Sequence, residues 1–180
     1  MNISATHPEI TTTRLHLRPL QATDAEAILA IRSNESVNTY LDRKPSTTID
    51  EAAAFISSIN QLTANGDGQY WAITIKDSGA LVGTICLYNF DKGKGIAEIG
   101  YELLPEYQGK GFMQEAISST VSYSFDMMGA KVITAFPRTD NHNSIKLLQK
   151  AGFKIDPAYS YLNGHDDDGK YQTYVLNNTN

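Results

Sequence analysis

Cysteine is almost missing. Cys86 stands alone in 180 residues, so no intramolecular disulfide can form, and a reducing compartment, the cytoplasm, is the expectation. Its place in an apolar strand, with no basic neighbour, predicts an inert buried thiol rather than a nucleophile. No apolar run approaches the roughly 18 residues that a membrane helix needs. Met1 to Thr13 has no basic patch followed by an apolar core, so neither a membrane partner nor a signal peptide is expected. Positive charge is in deficit, 15 Lys and Arg against 20 Asp and Glu, a net charge of -5. That argues against a direct, sequence-independent nucleic-acid binder, which needs surplus cations to displace counterions from phosphates. His16, His142 and His165 lack metal-ligand spacing, so no metal is assigned. Asp166-Asp167-Asp168-Gly169 fails as a calcium loop. With Gly169 sixth, the first position would be Gly164 and the twelfth Val175; an acidic hairpin tip is the better reading. Repeats, low-complexity tracts and Pro/Gly/Ser linkers are also missing. What is present is 41% hydrophobic and 19% charged residues, enough for one domain over 1–180, with 1–12 as a flexible lead-in.

Arg14-Leu15-His16-Leu17-Arg18 alternates as a half-buried strand and stops at Pro19. A helix starts at Thr23-Asp24, with Ala25, Ile28, Leu29 and Arg32 at helical spacing. Thr48-x-x-Glu51 is a capping box opening a second helix with Phe55, Ile56, Ile59 and Leu62 on one side. Tyr70–Ile75, Leu81–Phe90 and Ile96–Leu103 read as a three-strand meander, turning at Asp77-Ser78-Gly79 and Gly93-Lys94-Gly95. A loop, Pro105–Gly111, leads into a helix from Phe112 to about Met128. A short strand (Val132–Phe136), a short helix (Ser144–Ala151) and a closing hairpin (Phe153–Leu162 with Tyr171–Leu176) follow. The order βααβββαβαββ implies an α/β (α+β) fold: a mixed, mostly antiparallel sheet of about seven strands with helices on both faces.

The loop before the long helix carries the strongest signal. Gly109 and Gly111 remove side chains where unpaired N–H groups and a helix dipole would meet a phosphate. It is not a dinucleotide fingerprint, because the third glycine would fall at Gln114. It is not a nucleotide-triphosphate P-loop either, because the leading glycine would fall at Leu104 and Gly111 follows Lys110. A plain turn into a helix would look the same.

The wider context is more specific. Ala97-Glu98-Ile99-Gly100-Tyr101-Glu102-Leu103-Leu104-Pro105-Glu106-Tyr107-Gln108-Gly109-Lys110-Gly111-Phe112-Met113-Gln114-Glu115-Ala116 resembles the acetyl-CoA motif of the GNAT superfamily of N-acetyltransferases. Asn141-His142-Asn143-Ser144 through Gly152-Phe153 is similar to that family's second segment. Arg14 to Leu20 resembles the opening of the RimJ/RimL branch, which acetylates ribosomal-protein N-termini. The resemblance spans roughly residues 12–176 and implies the GNAT fold and acetyl-CoA as co-substrate. By the same resemblance, the strand at 96–103 splays from that at 132–136, and backbone groups of Tyr101 and Leu103 pair with the pantetheine arm. The N–H groups of Gln108, Gly109, Lys110, Gly111, Phe112 and Met113 hold the pyrophosphate. Asn141 reaches the pantetheine arm or the thioester, although Asn is also a preferred helix cap. Met113 departs from the family's small residue, and Leu148 stands where many members have a tyrosine acid.

The chemistry so implied is attack of an amine on a thioester. Glu98 matches the family's catalytic glutamate. Glu102 lies on the same strand face and is its rival; a water chain is a third possibility. Ser144 matches the serine acid of the RimL-like branch, or is only a helix-start hydroxyl. Tyr70, Trp71, Tyr88 and Phe90 either line an acceptor pocket or form sheet core. The loop from Val37 to Pro45, with Tyr40, is placed over the acceptor. The expected acceptor is a protein N-terminal α-amine, such as that of a ribosomal protein. The alternatives are a small amine (a polyamine or an aminoglycoside) and, in another class, a non-catalytic acyl-CoA sensor. A monomer and a homodimer both fit.

Overall fold

Period-two alternation builds a single sheet whose two faces are buried under different helices. The computed structural model describes residues 1, 8–163 and 169–179. Its strands are β1 (Ile10–Thr11), β2 (Leu15–Arg18), β3 (Gln69–Ile75), β4 (Leu81–Asp91), β5 (Ile96–Leu103), β6 (Val132–Ala135), β7 (Lys154–Ile155) and β8 (Tyr174–Asn177). They lie in the order β1-β2-β3-β4-β5-β6-β8-β7. Among the described residues, only β5 and β6 pair in parallel, the pair joined by a helical crossover. About seven strands were expected, and the eighth is β1. Ile10 and Thr11 pair with Leu17 and His16, so this part of the expected flexible lead-in is ordered. Its backbone completes the edge of β2, and the Trp71 indole donates to the Pro8 carbonyl at 2.7 Å.

The helices are α1 (Ala25–Ser33), α2 (Glu35–Asn38), α3 (Ile49–Ala64), α4 (Phe112–Asp126) and α5 (His142–Lys150). The short α2 has no counterpart in the expected order; Asn34 caps it by accepting from Val37 N at 3.1 Å. At α3 the capping box is displaced by one residue on one side. Thr48 Oγ1 accepts from Glu51 N, but Glu51 Oε2 accepts from the N–H of Thr47 rather than that of Thr48. The last hairpin is shorter than its apolar pattern suggested. After two residues of β7 the chain turns into a 3-10 helix, Pro157–Asn163. The acidic stretch Asp166–Asp168 and His165 lie outside the described residues.

One face of the sheet carries Leu15, Leu17, Trp71, Ile73, Ile85, Leu87 and Ile99 against Met113, Ala116 and Ile117 of α4 and Leu148 of α5. Each fully buried side chain of this kind contributes about 1.5–3 kcal/mol. The other face meets α1 and α3 through Ile28, Ile31, Ala52, Ile56 and Ala72. Trp71 is therefore core, edge-on to Tyr123 of α4 at 5.7 Å. Met113 packs into the same core, 6% exposed, so the longer side chain is accommodated. Among the described residues, no helix is long and apolar enough to cross a membrane.

Candidate active site

Two glycines shape the loop between β5 and α4. Gly109 and Gly111 have φ of 72° and 80°, the left-handed region that L side chains enter at a cost of about 1–2 kcal/mol. A Cβ on Gly109 would meet nothing within 4 Å, so its requirement is purely conformational. Gly111 is the N-cap of α4 and supplies no side chain to bond the first turn. The N–H groups of Gly111, Phe112, Met113 and Gln114 therefore have no protein acceptor among the described residues. Four unpaired donors at the positive end of a fifteen-residue helix form an anion cradle. Gln108, expected to lend its N–H to the pyrophosphate, instead donates it to the Pro105 carbonyl at 3.1 Å and braces the loop by donating Nε2 to the Leu103 carbonyl at 3.0 Å. Lys110 extends toward the Tyr107 ring, 5.5 Å from its centroid.

The sequence placed Arg14 in a strand and in the segment that resembles the RimJ/RimL opening, with no role at the loop. Its Nη1 donates to the Lys110 carbonyl at 2.9 Å, its Nε to Glu115 Oε2 at 2.7 Å, and its guanidinium lies 4.6 Å from the Phe112 ring centroid. Glu115 also accepts from Thr12 Oγ1 and Arg14 N. Burial pushes the Glu115 carboxyl up, but these bonds and the Arg14 charge outweigh it and hold it below the usual value.

Beside the loop the sheet opens. β5 pairs with β6 only at Ile96, Ala97 and Glu98, so Ile99 to Leu103 present an edge with no strand on that side among the described residues. Across the gap, Tyr101 OH and Ser144 Oγ lie 2.9 Å apart. Burial pushes the Tyr101 phenol up to about 12, against the lowering effect of the Ser144 bond. Asn141 caps α5, its Oδ1 accepting from Ser144 N at 3.1 Å, which leaves its amide Nδ2 without a protein partner among the described residues. Ser144 is thus not the cap, and its hydroxyl belongs to the gap. Leu148 is fully buried.

The register places the polar groups of β4 and β5 on the face that α1 and α3 cover. Thr84 pairs with Glu102, Cys86 with Gly100 and Tyr88 with Glu98, so the side chains of Thr84, Cys86, Tyr88, Glu98 and Glu102 point to one side. Glu98 and Glu102 are each 9% exposed. Glu98 accepts from Tyr88 OH at 2.5 Å and from Asn89 Nδ2 at 2.8 Å. Asn89 reaches it because a bulge follows Tyr88 in the register, where Asn89 adopts φ 49°. Glu102 accepts from Thr84 Oγ1 at 3.1 Å and pairs with Arg43 at 2.7 Å. Between the two carboxylates Gly100 leaves room: a Cβ there would meet Tyr88 Cε1 at 3.1 Å and Cys86 Sγ at 3.2 Å. Burial and both carboxylates push the Cys86 thiol far above its usual value, which disfavours the nucleophilic thiolate. Tyr70 and Tyr88, unlike Trp71, belong to this polar face.

The segment after α2 straps this face. Tyr40 lies 5.7 Å from the Arg138 guanidinium. Asp42 accepts from Lys170 and from Tyr171 OH, and Arg43 reaches down to Glu102. Arg43, Tyr88 and Asn89 carried no motif; only the cross-strand register and the strap bring them to the glutamates.

Comparison with known proteins agrees with this geometry. The Acetyltransferase (GNAT) domain family matches residues 14–154. The chain is 38% identical over 160 residues to the uncharacterized N-acetyltransferase YoaA of Bacillus subtilis (strain 168), covering 87% of this chain and 90% of that protein. The ribosomal-protein-S5-alanine acetyltransferase of Vibrio fischeri superposes with a TM-score of 0.79 at 22% identity, covering 96% and 98% of the two chains. Spermidine N-acetyltransferase of Vibrio cholerae, solved with CoA and spermine, superposes with a TM-score of 0.75 at 21% identity, covering 92% and 96%. Loop, opened sheet and sequence agree: the chain belongs to the GNAT acetyltransferases, and it is an N-acetyltransferase of the kind that uses acetyl-CoA.

Proposed function

We propose that this protein transfers the acetyl group of acetyl-CoA to an α-amine, of the kind found at a polypeptide N-terminus, as in the RimJ/RimL branch. The observation that carries this reading is the acceptor face, where one of the two buried glutamates is already neutralised by an arginine. Glu102 is paired with Arg43, and Glu98 is held by Tyr88 and Asn89. A polyamine needs unneutralised acidic groups along its length. An α-amine needs less: its pKa of about 7.7–8.0 leaves a useful free fraction at neutral pH, whereas an alkyl ammonium near 10.4 does not.

In this reading the α4 cradle takes the pyrophosphate, and the open edge of β5 at Tyr101 and Leu103 takes the pantetheine amides. The Asn141 amide lies on the opposite side of the gap. The amine nitrogen attacks the thioester carbonyl, the C–N bond forms and the C–S bond breaks. Glu98 receives the amine proton, directly or through water, and CoA leaves as a thiolate. A proton for that thiolate comes from the Ser144–Tyr101 hydroxyl pair. A thiol of pKa about 8.5 needs only a weak donor, which suits a phenol and a serine in place of the tyrosine absent at Leu148.

Mass spectrometry of acceptors incubated with acetyl-CoA tests the reading. The panel holds peptides with free N-termini, N-blocked lysine peptides, spermidine and an aminoglycoside. One acetyl group on the free N-termini alone is the expected result. Transfer to spermidine or the aminoglycoside instead moves the enzyme to the small-amine class. Binding of acetyl-CoA with no transfer to any acceptor would favour the sensor.

A further inference from the structure

Two guanidiniums and one carboxylate meet under the strap. Arg43 is committed to Glu102 at 2.7 Å. Arg32, in the last turn of α1, is fixed without being neutralised. Its guanidinium lies 3.8 Å from the Phe55 ring centroid, and its Nε donates to the buried Ser46 hydroxyl at 3.0 Å. Its carbonyl anchors the strap by accepting from Ser46 N and Asn38 Nδ2. Phe55 packs edge-on against Tyr70, whose hydroxyl meets Thr84 and, through it, Glu102. Arg32 therefore belongs to the acceptor face. Its Nη1 and Nη2 have no protein partner among the described residues. Burial and then the Arg43 charge pull the Arg32 guanidinium below its usual value, against the opposing pull of Glu102; the cluster is short of negative charge.

We infer that the terminal nitrogens of Arg32 receive a carboxylate of the acceptor itself, so that the preferred acceptor is an α-amine whose own molecule carries an acidic group nearby. This rests on the α-amine reading above. The form is that of a peptide with Asp or Glu in its first two positions; a free amino acid offers the same chemistry through its α-carboxylate. A guanidinium held by its ring contact and its Nε presents Nη1 and Nη2 as a pre-organised fork, which matches a carboxylate bidentately. The same charge repels spermidine and disfavours the protonated form of any amine placed beside it.

The test compares matched pairs: peptides differing only as Asp against Asn, or Glu against Gln, at the first two positions, and a free amino acid against its amide. Each pair is measured as kcat/KM and, independently, by calorimetric titration of CoA-saturated protein. The expected result is at least a tenfold preference for the acidic peptide, or for the free amino acid, and which pair shows it identifies the source. Arg32→Gln should reduce that ratio to twofold or less, and Arg32→Lys should restore part of it. Equal treatment of acid and amide by the native enzyme, including no binding of either, overturns the inference, as does a preference that survives Arg32→Gln. Should the Gln variant not fold, the native ratio and the Lys variant still decide. Calorimetry needs no transfer, so failure to acetylate any acceptor would count against the α-amine reading alone.

Discussion

At the residue scale, the carboxylate of Glu98 is fixed from two sides, and the role proposed for it as base can be separated from binding. Glu98→Gln keeps the shape and one accepting oxygen but loses the proposed base. Its turnover should fall about 10²- to 10⁴-fold, while the acetyl-CoA Kd stays within twofold; an unchanged pH–rate profile would remove Glu98 from the mechanism. Gly111 is the second decisive residue. Gly111→Ala forces a side chain into the left-handed region and sets a Cβ 3.3 Å from Arg14 Nη2, so it should destabilise by about 1 kcal/mol and raise the acetyl-CoA Kd at least tenfold. Urea unfolding and titration separate the two effects. The sequence made Glu98 and Gly111 legible because their neighbours form a contiguous motif. Arg43 and Asn89 were not legible, because a strap and a bulge, rather than chain neighbours, bring them to Glu102 and Glu98.

At the scale of elements, the turn between β2 and α1 is locked by one buried ion pair. Arg18 donates to both oxygens of Asp24 at 2.7 and 2.8 Å, and Gln21 N donates to Oδ2 at 2.8 Å. Burial pushes the Asp24 carboxyl up, but the Arg18 bond, the Gln21 N–H and the Arg18 charge outweigh it and hold it below the usual carboxylate value. A lowered folded pKa means that the contribution is complete above the unfolded value of about 3.9 and is lost as pH falls through the folded one. Asp24→Asn should therefore cost about 1.5–3 kcal/mol at neutral pH, where it removes the charge that the half-buried Arg18 faces, and should flatten the acid limb of the stability–pH curve. The sequence marks a helix start at Thr23-Asp24. That Asp24 serves an arginine six residues back was hidden, because the partner lies on a strand across the turn. The tie between Arg14 and α4 is of another kind. Arg14 is 44% exposed, so Arg14→Ala should cost under about 1 kcal/mol yet weaken acetyl-CoA severalfold by releasing the Lys110 carbonyl.

At the scale of the whole molecule, the open edge between β5 and β6 is unfinished sheet that a ligand can complete. Acetyl-CoA at 100 times its Kd should stabilise the fold by about 2.7 kcal/mol, seen as a rise in Tm of about 5–10 °C for a chain of this size. The gain should shrink in Gly111→Ala and persist in Glu98→Gln, which distinguishes cradle from catalyst in one thermal scan.

The sequence alone determined the helices other than α2, the meander, the glycine loop and the family, because each depends on local periodicity or on contiguous residues whose chemistry is readable in order. Tertiary structure decided the rest. β1 exists because β2 has an edge to pair. Ser144 faces Tyr101 because α5 closes on the gap that β6 leaves. The charge of the face proposed for the acceptor is set by Arg32 and Arg43, eleven residues apart, together with Glu98 and Glu102, and electrostatics follows distance in space rather than distance along the chain.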